Sequence, residues 1–358
     1  MRYFNAFVRG IFSMILGKDT TLSRRCNLYL FMLAAVISLL VWSWPSGTLT
    51  VEEERVWDRI REAQFYLYSL KTQREGVAPS QSLDPWQSGL IGTEWSIITT
   101  TVGSLASKQI SCNPLWGAIF LRWFDKAGLK RGDRIAILSS GSFPGFLISS
   151  LVAAEERGLD VLLVVSLGAS SYGANDPNFP IPIILRELRR AGFISTKAAF
   201  YTFGGDYEIG AGIPPDGLEI LSQSAISDDV PLLQAKSLQE VIDAKVGRLD
   251  IFKPALVVQI GGSHANMGTD DAVLSLPPGF LDSRYAERAG NGVIGLVLKR
   301  GIPVIHILNV KSLCRMTGVS EGVEVAKKGP KPFKFSRAFL GLLFFAVFLY
   351  KYERWAFE

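Results

Sequence analysis

Residues 134–166 read RIAILSSGSFPGFLISSLVAAEERGLDVLLVVS, and this stretch decides the fold. Residues 134–138 (RIAIL) and 161–166 (VLLVVS) are short, nearly unbroken apolar runs, while 146–157 carry apolar residues at helical spacing. A strand with one wet face alternates apolar and polar residues; a strand apolar throughout is covered on both faces, as in a parallel sheet. Strand, small-residue loop, helix, strand is therefore the expected order here.

The alternation continues outward. A helix is expected over 182–191, a strand over 198–202, and further strands over 255–260 (ALVVQI) and 303–308 (PVIHIL), with a helix over 289–300 between them. The expected fold class is α/β: a Rossmann-like, mostly parallel sheet with helices on both faces and right-handed crossovers. Upstream, residues 51–71 read as an amphipathic helix presenting Val56, Ile60, Phe65, Leu67 and Leu70. Residues 72–88 hold Gly, Pro, Ser and Gln and read as a surface connection, followed by a polar-rich stretch over 93–107. Asn113-Pro114 opens a helix running to about Gly128, with Trp116, Ile119, Phe120, Trp123 and Phe124 as core.

The chain of 358 residues is 48% hydrophobic, high for a protein without membrane segments. Residues 28–44 (LYLFMLAAVISLLVWSW) form an uncharged run of about the length that spans a bilayer, with Trp42 and Trp44 at the interface. Residues 338–350 (AFLGLLFFAVFLY) form a shorter run between basic flanks, expected to span or associate with the membrane. Residues 1–27 read as a basic amphipathic segment lying on the membrane surface. The division is thus 1–27, a transmembrane helix at 28–44, a helical and connecting region at 45–115, the α/β domain at 116–325, and a terminal membrane helix at 338–350.

The formal charge of +5 sits at the two ends. Five basic residues oppose only Asp19 before residue 26, and seven oppose Glu353 and Glu358 after residue 325, leaving the middle near −4. Basic membrane flanks and bound lipids explain this placement, and a nucleic-acid face does not. The basic residues before the first run place the N-terminus in the cytoplasm and the globular domain outside. Cys26, Cys112 and Cys314 match neither a metal site nor a disulfide framework by spacing; Cys112 and Cys314 read as buried thiols, with a bridge between them left open. No metal cluster and no cofactor motif is present in the pattern.

Ligands of an open parallel sheet bind outside the carboxyl ends of its strands. The unusual residues of this chain collect there. After the first strand comes SSGSFPG at 139–145, where Ser142 can cap the next helix and Pro144 suits its first turn. After the second comes a small-polar loop to Pro177, after the third Gly204-Gly205-Asp206, and after the fourth Gly261-Gly262-Ser263-His264-Ala265-Asn266. Expected ligand-binding residues are Ser140, Gly141, Ser142, Ser170, Ser171, Asn175, Gly261, Gly262 and Ser263. A hydrolytic triad would use Ser142, with His264 as base and Asp206 as its orienter, since His306 falls in a buried strand.

Ile98-Thr99-Thr100-Thr101 with Gly103-Ser104-Leu105 and Lys108, Asn113-Pro114, the Gly132-Asp133 turn, Ser140-Gly141-Ser142-Phe143-Pro144 and the GASSYGANDP run at 168–177 together resemble the poly-γ-glutamate system protein family. The resemblance covers about residues 90–310 in one order, and departs at His264, where a histidine is not expected. It implies a membrane-anchored accessory component of poly-γ-glutamate synthesis or export in the bacterial cytoplasmic membrane, meeting the ligase and membrane subunits of the synthase and the polymer itself. It brings no catalytic residues with it. The alternative is an envelope serine hydrolase or transferase acting on γ-glutamyl bonds.

Overall fold

The computed structural model describes residues 49–322, together with single helical positions at Val36, Leu340, Gly341, Leu343, Phe344 and Val347. Among the described residues no helix is long and apolar enough to cross a membrane. The expected membrane segments at 1–27, 28–44 and 338–350 otherwise lie outside the described residues.

Helix α1 (Val51–Glu75) opens on a capping box: Thr50 Oγ1 accepts from Glu53 N, and the Glu53 carboxylate accepts from Thr50 N. It closes on Gly76, whose φ of 71° is the left-handed conformation that glycine adopts without penalty. The helix therefore continues past residue 71. Val56, Ile60 and Leu67 are buried as expected, but Phe65 is exposed, with the Arg61 guanidinium 4.3 Å from its ring centre. The stretch expected only to be polar contains strand β1 (Thr99–Thr101) and helix α2 (Leu105–Ser111). In α3 (Leu115–Lys126), Trp116, Ile119, Phe120, Trp123 and Phe124 are all buried. Helices α1 and α3 meet at Gly117, where a Cβ would lie 2.4 Å from Val56 Cγ1, so a glycine permits this close crossing.

The chain then alternates. Strand β2 (Arg134–Ser140), α4 (Pro144–Glu156), β3 (Asp160–Ser166), α5 (Ile181–Arg190) and β5 (Ala198–Thr202) follow the expected order, with a short strand β4 (Ala169–Ser170) in the stretch expected to be a loop. Helices α6 (Pro215–Ser227) and α7 (Leu238–Phe252) come before β6 (Leu256–Ile260). Next are α8 (His264–Met267), β7 (Gly279–Leu281), α9 (Val293–Lys299), β8 (Val304–Ile307) and α10 (Val310–Thr317), with 3-10 turns at Asp271–Ser275 and Ser283–Arg288. Helix α9 starts later than the expected 289 because Gly290, at φ 69°, and the extended Gly292 break the backbone ahead of it.

The main sheet has six strands in the order β5-β3-β2-β6-β8-β7, all parallel except β7, which runs antiparallel to β8. Strands β1 and β4 form a separate parallel pair. The β2 side chains alternate between two cores. Ile135 and Ile137 pack with α1, α3, α4, α5, α6 and α10, whereas Ala136 and Leu138 pack with α7, α8 and α9. Both faces are thus covered, which is why β2, β3 and β6 read as apolar throughout. Cys112 and Cys314 are buried free thiols, and burial pushes the Cys112 thiol up to about 12.

Candidate functional site

From β2 the sheet grows one way through β3 to β5, and from β6 the other way through β8. The reversal lies between β2 and β6. Chains leaving these two strands diverge at their carboxyl ends, which opens a crevice there. The β2–β3 register brings Ser140 beside Ser166 at that edge. A cavity of about 470 Å³ occupies it, walled by residues from the loops after β2, β3, β5 and β6 and by the 100–108 stretch. All four loops expected from the sequence converge on this one cavity.

Ser140, Ser142, Ser170, Gly262 and Ser263 line it, as do Asp206 and His264. The remaining expected ligand residues build its frame. Gly261 sits at φ 86°, which residues with a side chain rarely adopt, and a Cβ there would fall 2.2 Å from Ser140 Oγ. Gly141 donates to Ser166 O and accepts from Ala174 N. Ser171 N donates to Thr101 O at 2.9 Å. Asn175 is fully buried and clamps the 93–99 segment: its Oδ1 accepts from Thr93 N, and its Nδ2 donates to Thr93 O and Thr99 Oγ1.

Ser142 does not cap α4. The cap position is Phe143, and Ser142 Oγ accepts from Ser170 N at 3.0 Å, tying two strand-end loops together. The expected Ser142–His264–Asp206 relay is also not assembled. His264 is exposed, and its Nδ1 accepts from Tyr207 N at 2.8 Å. That bond leaves the ring proton on Nε2, so neither nitrogen is placed to take a proton from serine. No hydrogen bond joins His264 to Asp206 or Ser142 among the described residues. His306 lies in β8, where its Nδ1 meets Gln259 Oε1 at 2.6 Å and burial pulls its pKa down to about 4.

Two buried lysines, neither expected as a site residue, stand at this edge: Lys108 in the cavity wall, and Lys245 behind the wall residues Glu208 and Ser263. Lys108, on α2, is 1% exposed. Its Nζ lies 2.7 Å from Ser170 Oγ, donates to Ser142 O at 2.5 Å and sits 3.6 Å from the centre of the Phe143 ring. No ion pair offsets its charge among the described residues. Burial pulls the amine down to about 7, because an ammonium loses its hydration there and gains no carboxylate in return.

Lys245, on α7, is instead paired with Glu208, and both side chains are 1% exposed. Lys245 Nζ also donates to Asn266 Oδ1 at 2.9 Å and to Ser263 Oγ at 3.3 Å. Glu208 accepts in addition from Ser263 Oγ, from Thr202 Oγ1 at 2.7 Å and from Ala265 N at 3.0 Å. Burial alone would push the Glu208 carboxyl up, but the Lys245 ammonium and these donors outweigh it and hold the group below its ordinary value. Tyr207 and Glu208 both sit at positive φ, 54° and 62°, a backbone strain on the order of 1 kcal/mol per residue.

No family model, curated protein or solved structure matches this chain. Among the described residues no group of three or more His, Cys, Asp or Glu side chains could hold a metal ion. The wall offers serine and threonine hydroxyls, loop backbone, one uncompensated amine and the Glu208 carboxylate, which Lys245 neutralises from behind. It suits a ligand that brings hydrogen-bond acceptors into a local pocket.

Proposed function

We propose that this chain is a membrane-anchored accessory component of poly-γ-glutamate synthesis or export, whose strand-end cavity receives the γ-glutamyl chain. The observation that carries the reading is the convergence of four small-residue loops on one cavity of about 470 Å³ at the sheet reversal. Three of the motifs on which the family resemblance rests supply its wall: the Thr100 to Lys108 stretch, the Ser140 loop and the Ser170 loop. A polyanion is compatible with such a pocket, because hydroxyls and the amides at the N-terminus of α4 donate to carboxylates at short range. The mildly acidic middle of the chain gives no long-range attraction, so recognition would be local.

The apolar runs at 28–44 and 338–350, each with basic flanks, support anchoring in the bacterial cytoplasmic membrane with the α/β domain outside. The ligase and membrane subunits of the synthase, the polymer and lipids are the partners this reading implies.

Gly262 provides the test. It is exposed at the cavity wall, its φ is not left-handed, and a Cβ there would meet only Leu308 Cδ1, at 3.8 Å. Gly262→Trp should fill the mouth without disturbing the frame. Calorimetric titration of the full chain in detergent with a γ-linked glutamate oligomer should show binding that falls at least about tenfold in this variant, some 1.4 kcal/mol. Absence of binding to the unaltered chain, or undiminished binding to Gly262→Trp, would overturn the reading.

A further inference from the structure

We propose that Ser170 is a nucleophile and Lys108 its general base, so that the cavity cleaves or transfers the acyl group of a carboxamide. The pairing goes beyond chain binding; only the choice of a γ-glutamyl amide as substrate rests on the reading above.

The geometry is that of a serine activated by an amine. Lys108 Nζ lies 2.7 Å from Ser170 Oγ, both atoms belong to buried residues, and both residues line the cavity. A neutral amine has one lone pair and two N–H groups. Here the lone pair would take the Ser170 O–H, one N–H meets Ser142 O, and the other faces the Phe143 ring. All three directions are used. An amine drawn down to about 7 by burial is largely unprotonated just above neutrality, where a base must work.

The serine is held as firmly as the lysine. Ser170 N donates to Ser142 Oγ at 3.0 Å, Ser170 O accepts from Gly173 N at 2.9 Å, and β4 is zipped to β1 through Ser171 N and Thr101 O. Two residues on, Tyr172 turns the chain at φ 61°. Over the hydroxyl lies Gly103, where a Cβ would come 2.9 Å from Ser170 Oγ. Glycine at 103 leaves the hydroxyl uncovered toward the cavity.

In the first step Ser170 Oγ bonds to the carbonyl carbon of the amide while Lys108 Nζ takes the hydroxyl proton. The tetrahedral intermediate collapses by breaking the C–N bond, and Lys108 returns the proton to the departing amine. The resulting Ser170 ester is then attacked by water, or by the amine of another chain. Lys108 accepts the proton of that attacker and delivers it to Ser170 Oγ as the ester C–O bond breaks. The net change is amide plus water to acid plus amine, or amide exchange.

The full chain in detergent micelles, treated with a fluorophosphonate probe and read by peptide mass spectrometry, should carry one adduct, on Ser170. Its rate of formation should rise with pH through about 7 as Lys108 loses its proton. Ser170→Ala should remove the adduct. Lys108→Arg keeps the charge but cannot act as a base, and should slow labelling at least about a hundredfold; circular dichroism checks that each variant is folded. No adduct at Ser170 in the folded protein, or undiminished labelling of Lys108→Arg, would overturn the proposal. Labelling at Ser170 that a γ-linked glutamate oligomer does not compete away would uphold the nucleophile and remove the polymer as its substrate.

Discussion

Lys245→Met should lower the unfolding free energy by about 3–5 kcal/mol at pH 7, and Glu208→Gln by a similar amount. Each change leaves one ionisable group buried without its partner. The loss is capped by the escape open to that group, which is to become neutral. A carboxyl ordinarily ionising at 4.5 must hold a proton at pH 7, which costs roughly 3.4 kcal/mol at 1.36 kcal/mol per pH unit. An amine ordinarily ionising at 10.5 must give one up, at roughly 4.8 kcal/mol. The double variant Glu208→Gln/Lys245→Met should recover much of either loss, since it buries no charge. The pH dependence has a definite sign. In the unaltered chain Glu208 ionises below its ordinary value, so it contributes stability that is present above about 4.5 and lost as pH falls through the folded pKa. In Lys245→Met the unpaired carboxyl ionises above that value, so its penalty applies at neutral pH and fades toward 4.5. The gap between the two proteins should therefore narrow on acidification. Urea unfolding of the full chain in mild detergent, followed by tryptophan fluorescence at pH 7 and pH 5, reads this directly. A constant gap would mean that Glu208 and Lys245 are not an ion pair.

What the sequence discloses and what it hides divide along the range of the interactions. Strands β2, β3 and β6 are legible because covering both faces demands consecutive apolar residues, a local pattern. The four loops are legible because tight strand-to-helix turns demand small residues, again locally. Helices α6 and α7 do not stand out, because α6 buries mainly small side chains such as Gly217, Ser224 and Ala225, and α7 buries Lys245 on its inner face. The chemistry itself is hidden for the same reason. A lysine or glutamate in a linear string reads as surface. Lys108 is buried where the chain returns 34 residues later with Ser142 and 62 later with Ser170, and Lys245 where it meets Glu208, 37 residues before it. Ser142 misleads in a related way: ahead of Pro144 it has the look of a helix cap, but Ser170 N, 28 residues on, takes its hydroxyl. His264 attracts attention as an isolated loop histidine, although its ring is engaged by Tyr207, through a backbone hydrogen bond and an edge-on ring contact.

Lys108→Met should make the protein more stable at pH 7, by about 2 kcal/mol, while removing any function that needs the amine. Lys108 ionises near 7 in the folded chain against an ordinary 10.5. A lysine whose folded pKa is depressed carries fewer protons folded than unfolded between those two values, so stability rises with pH across that window. Below 7 the folded protein bears the whole penalty of the buried charge, about 5 kcal/mol at 1.36 kcal/mol per unit. Methionine removes that penalty and fills nearly the same volume. Against this gain stands Ser142 O, which loses its donor and is left unsatisfied at about 1–3 kcal/mol. The remainder is the expected stabilisation. The advantage of the variant should be full below pH 7 and should shrink steadily toward pH 10. Arginine at 108 should show the reverse balance, since it cannot shed its proton and must keep a buried charge at every accessible pH. Thermal unfolding of the three proteins in the same detergent, at pH 6.5 and pH 9.5, separates these outcomes. A residue kept only for packing would leave Lys108→Met neutral or weaker at both pH values. A stabilised but inert Lys108→Met would identify the buried amine as one retained at the expense of the fold, as a working group in the cavity should be.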